Sequence, residues 1–214
     1  MAVGGRIDMG EYTDKPTIII DGPAGSGKTI ITQYIAKETG FQAIHMDKGF
    51  KQAVTAKRRE VRNLFGRGRR SNETVKQYLD TELFARPNAE MMLKFLDEIR
   101  DELEGYCQKQ KKKNALGYAI EGITSCMFKE EWEGATIRCV ILALLEQIYG
   151  NVDGRGRSDD TREIAKQKFI GIAPFIMTNA TNVNVPIICH GNRRIFLRKA
   201  DPMIDEVLAM MNQK

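Results

Sequence analysis

Short apolar runs and longer amphipathic stretches alternate along the chain. Five of the short runs predict buried strands, because they are apolar and rich in β-branched residues. They cover residues 17–21, 41–46, 116–122, 135–144 and 185–190. The amphipathic stretches predict helices, since their apolar residues recur three and four positions apart. They cover residues 29–40, 48–64, 71–83, 88–103, 158–170 and 201–211. Strands that alternate with helices predict an α/β fold around a parallel sheet.

Composition places the chain among globular proteins with one domain. Its 214 residues are 42% hydrophobic and 29% charged, and no apolar run approaches the ~20 residues that a membrane helix needs. Residues 1–15 have no apolar core, so we interpret them as a flexible leader rather than a secretion signal, and residues 16–214 as the domain. The sequence therefore predicts no membrane partner, and it does not indicate an oligomeric state.

Cysteine usage indicates the cellular compartment, and the net charge indicates the type of binding partner. The four cysteines lack the spacing of a zinc site or a disulfide framework, which favours the cytoplasm or another reducing compartment. The net charge of +5 and the pI near 9.0 favour anionic partners. Charge alone leaves both nucleotides and nucleic acid open.

The segment GPAGSGKT, residues 22–29, has the spacing of a phosphate-binding loop, or P-loop. A predicted strand precedes it and a predicted helix follows it, as the motif requires. Glycines let the backbone close on phosphate oxygens, and the helix N-terminus stabilises their charge. Lys28 would reach the β- and γ-phosphates of ATP, and the Thr29 hydroxyl would bind Mg²⁺. The predicted nucleotide-binding residues are Gly22, Ala24, Gly25, Ser26, Gly27, Lys28 and Thr29.

Two further features follow predicted strands. Glu121 ends the third strand, where a carboxylate would order the Mg²⁺ shell through water or else cap the next segment. Arg155 and Arg157 follow the fourth strand, with glycines 154 and 156 as hinges. Arginines on such a loop can close on a transferring phosphoryl group and exclude water. The same pattern also occurs in solvated basic turns, so both interpretations stay open.

From the P-loop onward, the chain resembles the nucleoside monophosphate kinases, which include adenylate kinase and UMP/CMP kinase. The resemblance begins with IIIDGPAGSGKTIITQYIAKETGFQAIHMDKGFKQAV, which is also similar to bacterial cytidylate kinase in its glycine loop and its Asp-x-Gly turn. It continues through KQYLDTELFARP. GRSDDTREIAKQKF is similar to the lid-to-helix segment of UMP/CMP kinase. The resemblance covers roughly residues 16–210.

This resemblance implies roles for several positions. Arg157, with Arg155 beside it, would contact the transferring phosphoryl group, and His190 would flank the donor adenine. Residues 47–90 would form a helical acceptor-binding insert, and residues 150–160 a short lid. Asp47 follows the second strand, as an aspartate does in uridine-kinase-like enzymes, and it would be the base if the acceptor group is a hydroxyl.

The acceptor end departs from the family pattern. The arginine that grips the acceptor phosphate is replaced by Ser125, and Lys51 replaces the arginine of the first insert helix. Gln147 and Asn151 stand where two arginines precede the lid. Lysine is a point charge and cannot reproduce the bidentate fork of arginine. The predicted acceptor-binding residues are Lys51, Arg58 and Gly122.

The remaining candidate binding features are two basic tracts and two histidines. Residues 48–70 contain nine Lys or Arg and one acid, Glu60, and residues 109–113 read KQKKK. These tracts would bind an RNA backbone with little sequence preference, or the first would hold the acceptor while the second is a solvated loop. His45 and His190 stand at strand ends, where a lone histidine is usually a hydrogen-bonded polar group.

The sequence thus predicts a P-loop three-layer α/β/α sandwich with a five-stranded parallel sheet. The predicted function is an ATP- and Mg²⁺-dependent phosphotransferase acting on a nucleoside monophosphate, with a nucleoside kinase as the variant within that class. The alternative is a catalytically degenerate P-loop protein that binds nucleotide as a structural or RNA-associated component. The replaced arginines keep that alternative open.

Overall fold

A parallel sheet of five strands forms the centre of the fold. The computed structural model describes residues 15–56, 99–122, 137–154, 161–163, 165–166, 169 and 185–212. The strands are β1 (Thr17–Asp21), β2 (Gln42–His45), β3 (Tyr118–Glu121), β4 (Ile137–Leu142) and β5 (Val185–Ile188). They lie in the order β2-β3-β1-β4-β5, and every neighbouring pair is parallel. The predicted α/β fold with a five-stranded parallel sheet is confirmed.

Described helices follow β1, β2, β4 and β5, and one precedes β3. Those with defined bounds are α1 (Lys28–Thr39), α2 (Met46–Ala56), α3 (Arg100–Gln110), α4 (Leu145–Asp153), α5 (Arg193–Arg198) and α6 (Asp201–Asn212). The described residues from 162 to 169 are helical as well, in agreement with the helix predicted over 158–170. Within the described part of the chain, no helix is both long and apolar enough to cross a bilayer.

Strand β1 is buried along its whole length, because it is the central strand and helices cover both faces of the sheet. Ile18 and Ile20 point to one face, where they pack with Ile31 and Ile35 of α1 and with residues of α6. The buried side chain of Ile19 points to the other face. Helices α2 and α3 contact each other, and the Tyr106 hydroxyl of α3 donates a hydrogen bond of 3.4 Å to the His45 carbonyl at the end of β2.

Two helices have bounds that differ from the prediction. Helix α2 begins at Met46, immediately after β2, so Asp47 lies in its first turn. Helix α3 begins at Arg100, with Ile99 as its N-cap, inside the helix predicted over 88–103, and it continues to Gln110, because Leu103 and Cys107 lie four residues apart and are both buried. The lysine-rich tract 109–113 therefore begins in the last turn of a helix rather than in a loop.

Helices α4 and α5 were not predicted. The described part of β4 ends at Leu142, and α4 follows with buried Ile148 and Val152 four residues apart. In α5, the Asn192 side chain caps the helix by accepting hydrogen bonds from two backbone N–H groups. Residues 150–153, which were predicted to open the lid, are helical in α4.

Several predicted features fall outside the described residues. These are residues 1–14 of the leader, residues 57–90 of the insert and residues 155–160 of the lid. The described end of the leader is anchored to the loop that precedes β3, because the Lys15 Nζ donates a hydrogen bond of 2.9 Å to the Ala115 carbonyl.

Candidate nucleotide-binding site

The P-loop connects the central strand to the first helix. It leaves β1 at Asp21 and enters α1 at Lys28, so its backbone lies at the carboxyl end of the sheet. Gly27 precedes α1 with a φ of 93°, which disfavours any residue with a side chain. A Cβ at this position would also lie 2.7 Å from the Phe196 ring of α5. The loop is therefore closed by a strand, a helix and an aromatic ring.

Lys28 is folded back onto the loop that precedes it. Its side chain is buried, and its Nζ donates hydrogen bonds to the carbonyls of Gly22 at 2.9 Å and Pro23 at 3.1 Å. These bonds hold the ammonium group at the centre of the loop. A bound phosphate would offer the same ammonium a stronger, charged acceptor.

Ser26 supplies an unsatisfied donor inside the loop. The residue is fully buried, and its Oγ has no hydrogen-bond partner among the described residues. Leaving a buried hydroxyl unpaired costs free energy, so such a group is an exception that calls for a ligand or a water. A phosphate oxygen would satisfy it.

Glu121 connects three elements at the edge of the loop. Its Oε1 accepts a hydrogen bond of 3.1 Å from the Thr29 hydroxyl of α1, and it lies 2.8 Å from the Nδ1 of His45 at the end of β2. Its Oε2 is buried and has no hydrogen-bond partner among the described residues. Oε1 thus has two hydrogen-bond partners, and Oε2 is available to a further partner such as a ligand or a water.

The local charges keep this carboxylate ionised. Burial raises the pKa of Glu121, but the hydrogen bond from His45 and the charge of Lys28 outweigh burial and leave the pKa below its ordinary value. The hydrogen bond to Glu121 likewise raises the pKa of His45, although burial opposes that change. The site therefore favours an ionised Glu121 carboxylate that accepts a hydrogen bond from the His45 ring.

These residues fit a magnesium ion that is bound partly through water. No cluster of three or more His, Cys, Asp or Glu side chains that could hold a metal occurs in the described segments. Mg²⁺ does not need one, because it retains several waters and is bound by one or two carboxylates together with nucleotide phosphates. The Thr29 hydroxyl and the unpaired Oε2 of Glu121 are suitable partners for such a hydrated ion.

Helix α4 supports the loop from the other side. The Asn151 Nδ2 donates a hydrogen bond of 2.7 Å to the Gly25 carbonyl. A Cβ at Gly25 would lie 3.1 Å from the Ile148 side chain. Because Gly154 ends α4, the helix that contacts the P-loop leads directly to Arg155 and Arg157. Those two arginines lie outside the described residues.

The predicted acceptor residues are only partly described. Asp47 is exposed in the first turn of α2, and Lys51 lies one turn further along the same helix. Gly122 follows β3, and a Cβ there would lie 2.6 Å from the Cβ of Met46. The beginning of α2 and the end of β3 are therefore in close contact. Arg58 lies outside the described residues.

His190 follows β5 and is exposed. Its Nδ1 accepts a hydrogen bond of 3.0 Å from the Asn192 backbone N–H. The described contacts of His190 are thus local, and its predicted position beside the donor adenine remains a prediction.

The sequence did not assign a role in the site to His45, nor a contact to Asn151. His45 was interpreted as a hydrogen-bonded polar group at a strand end, and its partner is the carboxylate that was predicted to serve magnesium. The available signal was that His45 and Glu121 both end predicted parallel strands. The sequence alone did not show that these two strands are neighbours.

Comparison with known proteins supports the fold. No protein-family model matches the chain, and a search of curated proteins found no significant match. The crystal structure of TT1252 from Thermus thermophilus matches with a TM-score of 0.62 and 19% identity, over 90% of this chain and 97% of that one. A gluconokinase from Sinorhizobium meliloti 1021 matches with a TM-score of 0.54 and 11% identity, over 93% of this chain and 97% of that one. At these identities the likeness concerns the fold alone, and the chain shares with these two proteins an α/β fold, which here is built around a five-stranded parallel sheet.

Proposed function

We propose that the chain is an ATP-dependent phosphotransferase that transfers the γ-phosphoryl group of ATP to a nucleoside monophosphate. The observation that carries the proposal is the set of polar groups around one loop, namely the Lys28 ammonium, the Ser26 hydroxyl and the Glu121 carboxylate. Two of these groups have a buried oxygen with no partner among the described residues. A magnesium nucleotide would satisfy both at once.

The donor nucleotide would bind on residues 22–29. Its β- and γ-phosphates would accept hydrogen bonds from the loop N–H groups and from the Ser26 hydroxyl. The Lys28 ammonium would leave the Gly22 and Pro23 carbonyls for the phosphate oxygens, because a charged acceptor binds it more strongly than a carbonyl. His190 would lie beside the adenine.

Thr29 and Glu121 would hold the magnesium ion, Thr29 through its hydroxyl and Glu121 through water. When bound, the ion neutralises charge on the β- and γ-phosphates. The Thr29 hydroxyl can offer its oxygen to a cation while its proton still bonds to Glu121, so the described contact is compatible with this role.

The transfer itself would need little covalent help from the protein. An oxygen of the acceptor phosphate forms a bond to the γ-phosphorus, the bond from that phosphorus to the bridging oxygen breaks, and ADP leaves. Arg155 and Arg157 would close from the end of α4 and stabilise the charge on the transferring group. If the acceptor is a nucleoside hydroxyl instead, Asp47 would receive its proton.

The acceptor would bind beside the contact between the beginning of α2 and the end of β3. These two elements meet at Gly122 and Met46, and α2 carries Asp47 and Lys51 on its first two turns. Arg58 would add a cation further along the insert. We place this activity in the cytoplasm or another reducing compartment, where the buried thiols of Cys107, Cys139 and Cys189 would stay reduced.

The test is the release of ADP from Mg²⁺-ATP in the presence of single acceptors. The acceptors would be AMP, CMP, UMP, GMP, their deoxy forms and the corresponding nucleosides. The proposal predicts that one monophosphate stimulates release by about tenfold or more over the rate without acceptor, and that Lys28→Ala loses this stimulation. No stimulation by any acceptor, with ATP still bound, would exclude the proposed transfer.

A second candidate function is a nucleotide-binding component of an RNA-containing assembly. One observation favours it. Asn151 contacts the P-loop backbone, and it stands at a position where the nucleoside monophosphate kinases have an arginine. Lys109, Lys112 and Lys113 are also exposed around the end of α3. This function predicts RNA binding that weakens steeply with salt, together with no stimulation of ADP release by any acceptor.

A further inference from the structure

His45 stands directly beside the proposed magnesium carboxylate. It is the last residue of β2, and Glu121 is the last residue of β3. The two residues are register partners in neighbouring parallel strands, so their side chains point to the same face of the sheet. The His45 Nδ1 lies 2.8 Å from the Glu121 Oε1.

The hydrogen bonds on Glu121 are unevenly distributed. Thr29 and His45 approach the same oxygen, Oε1, from α1 and from β2. Oε2 is buried and has no partner among the described residues. A carboxylate held by one hydroxyl can rotate about its terminal torsion, whereas donors from two separate elements fix its plane.

We propose that His45 is a positioning residue for the metal site, and that its Nδ1–H holds Glu121 with Oε2 turned to the water shell of a nucleotide-bound divalent cation. The inference rests on the proposed function in so far as it places the magnesium nucleotide on the P-loop. It requires no acceptor and no phosphoryl transfer. Partners of metal-binding carboxylates commonly affect metal affinity about 10–100-fold.

The competing explanation is that the pair only fastens β2, an edge strand, to β3. In that case, loss of the histidine would lower the stability of the fold and leave the metal affinity unchanged. The positioning role therefore predicts that loss of the histidine weakens metal binding and leaves the metal-free nucleotide affinity unchanged. The fastening role predicts that both affinities stay unchanged.

The experiment compares His45→Leu with His45→Asn. Leucine and asparagine have nearly the same shape, but only asparagine carries an N–H near the position of the Nδ1. The dissociation constant of Mn²⁺ is measured by electron paramagnetic resonance on the full chain saturated with ADP, and ADP affinity is measured separately without metal. We expect His45→Leu to weaken Mn²⁺ binding by about 10–100-fold and His45→Asn to retain most of it, with the metal-free ADP affinity unchanged in both.

Gln42→Ala provides the matched control. Gln42 lies at the other end of β2, where its side chain also makes hydrogen bonds that fasten the strand, to the Gln110 carbonyl and the Lys112 N–H. Its loss should lower stability without changing Mn²⁺ affinity. Equal Mn²⁺ affinities for His45→Leu and the wild type, or equal losses for His45→Leu and His45→Asn, would overturn the role of His45. A wild-type chain that binds neither ADP nor Mn²⁺–ADP would overturn the proposed function as well.

A measurement on the unaltered chain covers the case in which the variants do not fold. The chain has two histidines, and their bonds require opposite neutral tautomers. His45 donates from Nδ1 to a carboxylate, whereas the His190 Nδ1 accepts a backbone N–H. Nitrogen-15 spectra of the Mg²⁺–ADP complex, at a pH where both rings are neutral, should show one ring of each type. Two rings protonated only at Nε2 would show that the bond to Glu121 is absent in the loaded site, which would overturn the proposal.

Discussion

At the scale of single residues, Gly27 has a backbone conformation and a surrounding space that exclude a side chain. Its φ is 93°, and a Cβ would lie 2.7 Å from the Phe196 ring. The motif predicted the glycine, but it did not predict the aromatic ring that closes on it, because α5 was not recognised. The positive φ and the close approach of Phe196 both make a side chain at position 27 unfavourable.

We expect Gly27→Ala to lower the free energy of unfolding by about 1–3 kcal/mol and to weaken ADP binding, since the residue would be strained and would displace Phe196. Chemical denaturation measures the first effect, and calorimetric titration with ADP the second. Gly105→Ala is the control: this glycine lies in α3, and a Cβ there would meet no atom within 4 Å. The free energy of unfolding of that variant should rise by about 0.5–1 kcal/mol. Similar effects from both substitutions would contradict the account.

The His45–Glu121 pair predicts how stability depends on pH. The raised pKa of His45 gives a contribution that is present below the ordinary value of 6.5 and is lost as the pH rises through the raised value. The lowered pKa of Glu121 gives a contribution that is present above its ordinary value of 4.5 and is lost as the pH falls through the lowered value. The pair therefore stabilises the fold most between about pH 4.5 and pH 6.5.

The measurement is the free energy of unfolding of the wild type and of His45→Leu, in the absence of metal and nucleotide, across the range that both proteins tolerate. The difference between them should be largest inside this window and should shrink on both sides. A difference that does not change with pH would show that the two side chains do not interact as described.

At the scale of elements, α4 connects the P-loop to the segment that contains Arg155 and Arg157. Its buried residues Ile148 and Val152 pack with Ala165, and Asn151 bonds to the Gly25 carbonyl. The sequence signal for this helix is short, since only two buried positions recur at helical spacing. Its start is fixed by Gln147, whose Oε1 accepts a hydrogen bond from the Leu144 N–H, a contact that no periodicity reveals.

We expect Asn151→Ala to raise the dissociation constant of ADP by up to about tenfold, because it removes a hydrogen bond worth about 0.5–1.5 kcal/mol that holds the P-loop backbone. Titration calorimetry with metal-free ADP measures the change. Asp153→Asn is a suitable control in the same helix, as its carboxylate pairs with Arg162 at 2.9 Å rather than with the loop. Equal ADP affinities for the wild type and Asn151→Ala would show that α4 does not support the binding conformation.

At the scale of the whole molecule, the strand order determines which residues form the site. Alternating strands and helices predict a parallel sheet of five strands, and the motif predicts that ATP binds at the loop after the first strand. The pattern did not specify that β1 lies between β3 and β4, with β2 next to β3. That order brings Thr29, His45 and Glu121 together, and it is set by long-range packing that local periodicity does not encode.

The proposed reaction ends with the γ-phosphoryl group of ATP on a nucleoside monophosphate. The most direct measurement incubates the chain with ATP labelled at the γ-phosphorus, Mg²⁺ and the monophosphate that best stimulates ADP release, and then identifies the labelled product. We expect label in the corresponding nucleoside diphosphate with the wild type, and a rate of labelling that is about 10²–10³-fold lower with Lys28→Ala. Label that remains in ATP, or appears only as inorganic phosphate, would contradict it.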